Sequence, residues 1–224
     1  MEQLSHGGIE IWFDFASNYS YLSVSRIGEL ARSANVEVRW NPFLLGPIFQ
    51  SFGWQNSPFV LQKEKGNYVW QDMIRECRKY GIPWQRPSDF PRNSVLAARI
   101  ALHGAQQPWI EEFCKQAMLR NFAEDLDIAT EESMAAVLCG MNLDADAIIS
   151  AAQSNENKLL LRQRTDQAKA RGIFGAPTFI VGEEMFWGND RLDDALALAR
   201  RRVGCRKALA RSSDILDSTS PQER

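Results

Sequence analysis

The residues with the most chemistry to offer sit at three polar corners. The first is Ser17-Asn18-Tyr19-Ser20, which follows the apolar run Ile9 to Phe15 and precedes a helical pattern. Backbone N–H groups in the first turn of a helix lack intrahelical partners and, with the helix dipole, favour a negative group. A hydroxyl at the cap adds one more donor. Such a corner can hold a thiolate and lower its pKa. No cysteine stands there, so the sulfur has to come from a ligand. The plain structural reading is that Ser and Asn are preferred helix caps, worth about 1 kcal/mol without any function.

The second corner is Gly175-Ala176-Pro177-Thr178. Proline at the start of a strand marks an edge. In the cis form it instead exposes the preceding backbone N–H and C=O to an extended peptide ligand. The third is Trp187-Gly188-Asn189-Asp190-Arg191, ahead of a last helix. Asp190 can cap that helix. It can also receive an ammonium group, while Asn189 and neighbouring N–H groups take a carboxylate. Together those describe the head of an α-amino acid. A thiolate site, a peptide-backbone site and an amino-acid head site add up to glutathione, provided the fold brings them together.

The intervening pattern supplies the elements that must do so. Ile9 to Phe15 reads as a buried strand, Tyr21 to Ala34 as a helix, and Val36 to Phe43 as a second strand parallel to the first. Residues 47–60 read as loop, with Pro47, Gly53 and Pro58. Helices are expected over 68–80, 94–103, 108–121, 130–138, 144–152 and 155–171. Strand character returns at Ala176–Val181 and Met185–Trp187 as a hairpin, followed by a helix over Leu192–Arg202. The order is β-α-β, a helical block, then α-β-β-α. Without the block this is the thioredoxin pattern. The predicted fold class is α/β, a thioredoxin-like domain (1–52 and 156–204) carrying an all-helical insertion domain (53–155), with a polar tail over 205–224.

The totals limit the function classes. The 224 residues are 45% hydrophobic and 24% charged, with net charge −2, so nothing pulls the chain toward nucleic acid. No apolar stretch is long enough to span a bilayer, and MEQLSHGG has neither the basic nor the apolar region of a signal peptide, so a cytoplasmic location is expected. The cysteines Cys77, Cys114, Cys139 and Cys205 are dispersed and read as free thiols of a reducing compartment, with pairing through the fold left open. With only His6 and His103 as histidines, no metal site is expected. The basic stretch Arg200 to Arg211 reads as cations complementing a helix C-terminus.

F-D-F-x-S-x-Y-S-Y at Phe13 resembles the start of 2-hydroxychromene-2-carboxylate isomerases, which stand with kappa-class glutathione transferases in the DsbA-like branch of the thioredoxin superfamily. The usual form is S-P-Y/F-S, and here Asn18 replaces the proline. Asn41-Pro-Phe-Leu-Leu-Gly-Pro-Ile-Phe, Gly53-Trp-Gln-Asn-Ser-Pro-Phe, Lys65-Gly-Asn-Tyr-Val-Trp-Gln-Asp, Gly172-Ile-Phe-Gly-Ala-Pro-Thr-Phe and Phe186-Trp-Gly-Asn-Asp-Arg-Leu resemble further family motifs. The resemblance runs from about Ile9 to Arg202.

What it implies is a glutathione-dependent isomerase. Ser17 matches the catalytic serine against the glutathione sulfur. Ala176 and Pro177 match the cis-proline site, Asn189 and Asp190 the head-group site, and Gln55 a polar position that also touches the cofactor region. Trp54, Lys65 and Tyr68 are candidates for the pocket of an aromatic acid substrate; core packing is the equal alternative for Trp54 and Tyr68, a surface charge for Lys65. The resemblance also implies a homodimer, no metal, and a place in naphthalene-type aromatic catabolism. Serine where a disulfide oxidoreductase needs its attacking thiol removes dithiol chemistry. The rivals are a kappa-type glutathione S-transferase acting on other electrophiles and a non-catalytic glutathione-binding module.

Overall fold

The computed structural model describes residues 8–217. Its sheet has four strands, β1 (Ile9–Phe13), β2 (Val38–Pro42), β3 (Thr178–Val181) and β4 (Glu184–Trp187), in the order β2-β1-β3-β4. β1 runs parallel to β2 and antiparallel to β3, and β3 and β4 form the expected hairpin around Gly182, whose φ is 64°. As a central strand β1 is covered on both faces, so its sequence is a nearly unbroken apolar run. Ile9, Ile11 and Phe13 face one core cluster, and Trp12 faces another with Phe43, Ile48 and Ile180.

The helices are α1 (Asn18–Ala34), α2 (Leu45–Ser51), α3 (Pro58–Leu61), α4 (Lys63–Tyr80), α5 (Val95–His103), α6 (Ile110–Phe122), α7 (Glu131–Gly140), α8 (Ala145–Ala152), α9 (Asn155–Ala170) and α10 (Leu192–Asp217). α1 starts where the Ser17 side chain accepts from the Ser20 N–H and ends at Asn35, which takes the left-handed conformation. Its buried stripe, Leu22, Val24, Ile27 and Ala31, recurs at helical spacing and joins the larger core cluster. That cluster also takes in Val69 and Met73 of α4, Ile100 of α5 and Phe113 of α6, so the helical segment and the sheet share one apolar interior.

Three expectations change. Residues 47–60 are not all loop: α2 and α3 lie there. Pro47 and Pro58 fall in first turns, where the missing N–H costs nothing, and Ser57 caps α3 by accepting from Phe59. α4 begins five residues earlier than the expected Tyr68, at Lys63. The last helix does not stop at Arg202 but continues to Asp217, because the basic and Ala-rich stretch beyond it consists largely of helix formers. The expected polar tail is therefore helical as far as Asp217, and residues 218–224 lie outside the described residues, as does His6. No described helix is long and apolar enough to cross a membrane. Cys77 and Cys114 are buried free thiols and Cys139 is an exposed one. Burial pushes the Cys77 thiol up to about 12, which keeps it protonated and inert.

Candidate active site

All three polar corners open on one cleft of about 1110 Å³. Ser17 is 6% exposed and held from two sides. Its Oγ accepts from the Ser20 N–H at 3.2 Å and donates to the Ala176 carbonyl at 3.0 Å, joining the first corner to the second. Ala176–Pro177 is a cis peptide bond. Ala176 lines the cleft, whereas Pro177 is buried behind it and forms no part of the wall. Among the described residues nothing in the chain accepts the Ala176 N–H outside the strands. Gly175 is required beside it, since a Cβ there would collide with the Trp187 indole.

At the third corner a 3-10 turn, Asn189–Arg191, leads into α10. Gly188 takes φ 106°, a conformation that favours glycine. Asn189 is buried, and its Oδ1 accepts from Ser23 Oγ at 3.0 Å and Arg26 Nη1 at 3.2 Å. That oxygen braces the corner against α1. Asp190 is exposed, and its carboxylate accepts from the Arg191 guanidinium at 3.0 Å. Both residues line the cleft.

The opposite wall belongs to the segment after β2. Trp54, Gln55, Lys65 and Tyr68 all line the cleft. Trp54 is 38% exposed and Tyr68 57%, so neither is a core residue. Trp54 lies against Phe49 and Phe52, with ring centroids 5.7 and 5.9 Å apart. Lys65 is exposed. Of the cations lining the cleft, Lys79 pairs with Glu76, Arg92 with Asp125, and Arg191 with Asp190 and Asp194; Lys65 makes no ion pair among the described residues.

Four features of the cleft were not singled out from sequence. Asp14, at the end of β1, is 3% exposed and accepts from Ala16 N (2.9 Å), Leu45 N (2.7 Å) and Ser94 Oγ (2.6 Å). Burial pushes its carboxyl above the usual range, against the pull of those three donors. The Tyr19 phenol donates to Asp72 Oδ2 at 2.7 Å. Burial and then the Asp72 carboxylate push that phenol well up, so it stays protonated at neutral pH. Phe174 and Trp187, both exposed, pack at 4.8 Å and extend the aromatic wall. Asn18 is buried, with neither polar atom of its side chain partnered. Asn18, Tyr19 and Trp187 stand within the corners quoted from sequence but had no ligand contact of their own there; the partners Leu45 and Ser94 of Asp14 and Asp72 of Tyr19 are far away in the chain.

The site can therefore hold an anion at the start of α1, pair with an extended backbone at Ala176, and take a charged head group near Asp190. Beside these lies an aromatic wall with an ammonium, that of Lys65, in no ion pair among the described residues. No cluster of metal-binding side chains occurs among the described residues.

The comparisons agree with this fold. The model of the DSBA-like thioredoxin domain matches residues 8–198. The chain is 30% identical over 188 residues to a 2-hydroxychromene-2-carboxylate isomerase of Sphingobium xenophagum, covering 83% of this chain and 94% of that protein. It is 25% identical over 199 residues to glutathione S-transferase kappa 1 of Rattus norvegicus, covering 83% and 87%. A solved structure of a selenomethionyl 2-hydroxychromene-2-carboxylate isomerase matches with a TM-score of 0.75 at 25% identity, over 95% of this chain and 99% of that one.

Proposed function

This chain belongs to the DSBA-like thioredoxin domain family and, within it, to the 2-hydroxychromene-2-carboxylate isomerases, which are enzymes; we propose that it is a glutathione-dependent isomerase interconverting 2-hydroxychromene-2-carboxylate and trans-o-hydroxybenzylidenepyruvate, a step of naphthalene-type aromatic catabolism. The observation that carries this reading is the bond between Ser17 Oγ and the Ala176 carbonyl at 3.0 Å, which sets an anion-holding cap against a backbone-pairing edge in one cleft.

The residues fit glutathione. Ala176 presents a backbone edge for the tripeptide, the exposed Asp190 carboxylate suits its ammonium group, and Ser17 has a hydroxyl for its sulfur. Asn189 turns its oxygen to Ser23 and Arg26, which leaves its Nδ2 as a donor for the ligand's carboxylate. Gln55, exposed and lining the cleft, offers its carboxamide to the bound tripeptide. When bound, glutathione supplies a thiolate that adds to the conjugated ketone of the opened ring and leaves again, giving the C=C bond transient single-bond character.

The chain's own residues do the rest. Ser17 is engaged as a donor to Ala176 and turns its one proton toward the anion as the tripeptide takes over the Ala176 carbonyl. The Ser20 N–H donating to Ser17 Oγ polarises that hydroxyl and fixes its place. Lys65 binds the substrate carboxylate as the cleft cation without an ion pair among the described residues. Trp54 and Tyr68 flank the aromatic ring and keep water from it.

The test is conversion of 2-hydroxychromene-2-carboxylate with and without glutathione, in wild type and Ser17→Ala. Turnover should require glutathione and fall on the order of 10²-fold in the variant, the cost of removing one donor to a developing charge. Turnover without glutathione, or an unimpaired variant, would refute the reading. The similarity to a kappa transferase favours a second reading, conjugation of glutathione to other electrophiles. Glutathione binding without isomerisation, followed by conjugation of an aryl halide, would select it.

A further inference from the structure

Asn18 is the polar side chain at the sulfur corner whose hydrogen-bonding capacity is unspent. It is the first residue of α1, it lines the cleft, and it is 1% exposed. Neither its Oδ1 nor its Nδ2 has a hydrogen-bond partner. Leaving a buried carboxamide unpaired is costly, and such a group calls for a ligand or a water to complete it. Ser20 Oγ is also buried without a partner among the described residues, but Ser20 does not line the cleft. The cleft-lining polar neighbours of Asn18 are engaged. Ser17 Oγ is bonded to Ala176 and Ser20, the Tyr19 phenol to Asp72, and the Asp14 carboxylate to Ala16, Leu45 and Ser94. The main-chain N–H groups of Asn18 and Tyr19 open a 17-residue helix and have no intrahelical acceptor. Donors without acceptors thus gather at a helix start facing a cleft, the arrangement that suits an anion.

We propose that a bound thiol ligand draws the Asn18 carboxamide out of its closed position, where neither polar atom is accessible, so that Nδ2 and the main-chain N–H both donate to the thiolate beside the hydroxyl of Ser17. The inference rests on the glutathione reading above. Forming the anion breaks the S–H bond, leaves the electron pair on sulfur and passes the proton to solvent. A proline at this position, as in the S-P form of the motif, suits the first turn of a helix equally well but supplies neither donor. Asn18 is therefore a specificity-determining residue for the charge state of the ligand in this chain.

The two variants that test this remove the donors in steps. Asn18→Ala deletes the carboxamide and keeps the N–H; Asn18→Pro deletes both and remains compatible with the helix start. The full chain is saturated with glutathione and the thiolate is titrated by its ultraviolet absorbance. Calorimetry then compares glutathione with S-methylglutathione, which cannot ionise at sulfur. Asn18→Ala should raise the titration midpoint of the bound thiol by about one pH unit and Asn18→Pro by more, with S-methylglutathione affinity retained. Midpoints equal to that of wild type would overturn the proposal and leave the carboxamide to an internal water. Equal loss of both ligands would also overturn it, as a structural effect. Binding by wild type with unmoved midpoints refutes this inference alone; no glutathione binding by wild type refutes the proposed function with it.

Discussion

Asp14 ties together three parts of the chain, and removing one of its oxygens should show how much of the cleft hangs on it. Its Oδ1 accepts from Ala16 N at 2.9 Å and Ser94 Oγ at 2.6 Å, its Oδ2 accepts from Leu45 N at 2.7 Å, and its carbonyl accepts from Ser17 N at 2.9 Å. These bonds hold the start of α1, the segment after β2 and the start of α5 around one buried group. Asp14→Asn keeps the shape but puts an NH2 where one acceptor stood. The better orientation preserves the Ala16 and Ser94 bonds and faces the new NH2 toward the Leu45 N–H. An unsatisfied buried donor costs about 1–3 kcal/mol, and two bonds weakened from charged to neutral cost roughly 1 kcal/mol each. The total is about 3–5 kcal/mol, which for a chain of this length lowers Tm by about 6–20 °C. Asp14→Ala would strand three donors and approach the whole stability of a typical domain, about 5–15 kcal/mol. Thermal and urea denaturation of the asparagine variant provide the assay. Melting within about 2 °C of wild type would refute the reasoning, because the three short bonds would then contribute no net stability.

Two further outcomes are expected. Asp125, in contact with the Ser88 N–H and the Arg92 guanidinium, has its carboxyl held below the usual 3.8, first by the Ser88 backbone bond and then by Arg92. A lowered folded value contributes stability that is present above 3.8 and lost as pH falls through the folded value. The stability gap between wild type and Asp125→Asn, measured by urea denaturation, should therefore close on acidification below 3.8, and a gap independent of pH would contradict the assignment. Lys65→Met should raise KM for the aromatic acid roughly fivefold, as for one exposed charge pair, with kcat and glutathione affinity little changed. An unchanged KM would make Lys65 a surface charge only.

The corners were legible because each is a local event. A serine after an apolar run caps a helix, and Ser17 does so; an Ala-Pro before a strand marks the entry to β3, and Ala176–Pro177 does so. The parallel pairing of β1 and β2 and the hairpin of β3 and β4 likewise follow from connection lengths. What local reading could not supply is direction and long-range partnership. Trp54 and Tyr68 look the same in sequence whether they face a core or a cleft. Asp14 reads only as one residue of the strand Ile9 to Phe15 until Ser94, eighty positions away, is brought to its oxygen. The orientation of Asn189 was likewise hidden, because its oxygen is fixed by Ser23 and Arg26, contacts more than 160 positions apart. α2 and α3 were hidden because proline reads as a breaker unless its place within the first turn is known.

The two walls of the cleft divide the chemistry. The sheet and α1, with the turn before α10, present a hydroxyl, main-chain N–H groups and Asp190, which suit a peptide thiol. The segment after β2 presents Trp54, Tyr68 and Lys65, which makes no ion pair among the described residues, and these suit a flat anionic molecule. The division we propose, residues 1–52 with 156–204 against an insertion over 53–155, is then also a division between thiol and substrate. The two sides are joined by specific bonds, Ser94 to Asp14 and Tyr19 to Asp72 at the cleft and Asn121 to the Phe15 carbonyl in the interior, as well as by a shared core. A thiolate and an electrophile must meet within a bond length, so the walls have to be held at a fixed spacing. On this argument the polar ties across the cleft matter to rate even though none of them touches a ligand, and exchange of the aromatic wall alone can change the substrate while the sulfur corner stays as it is.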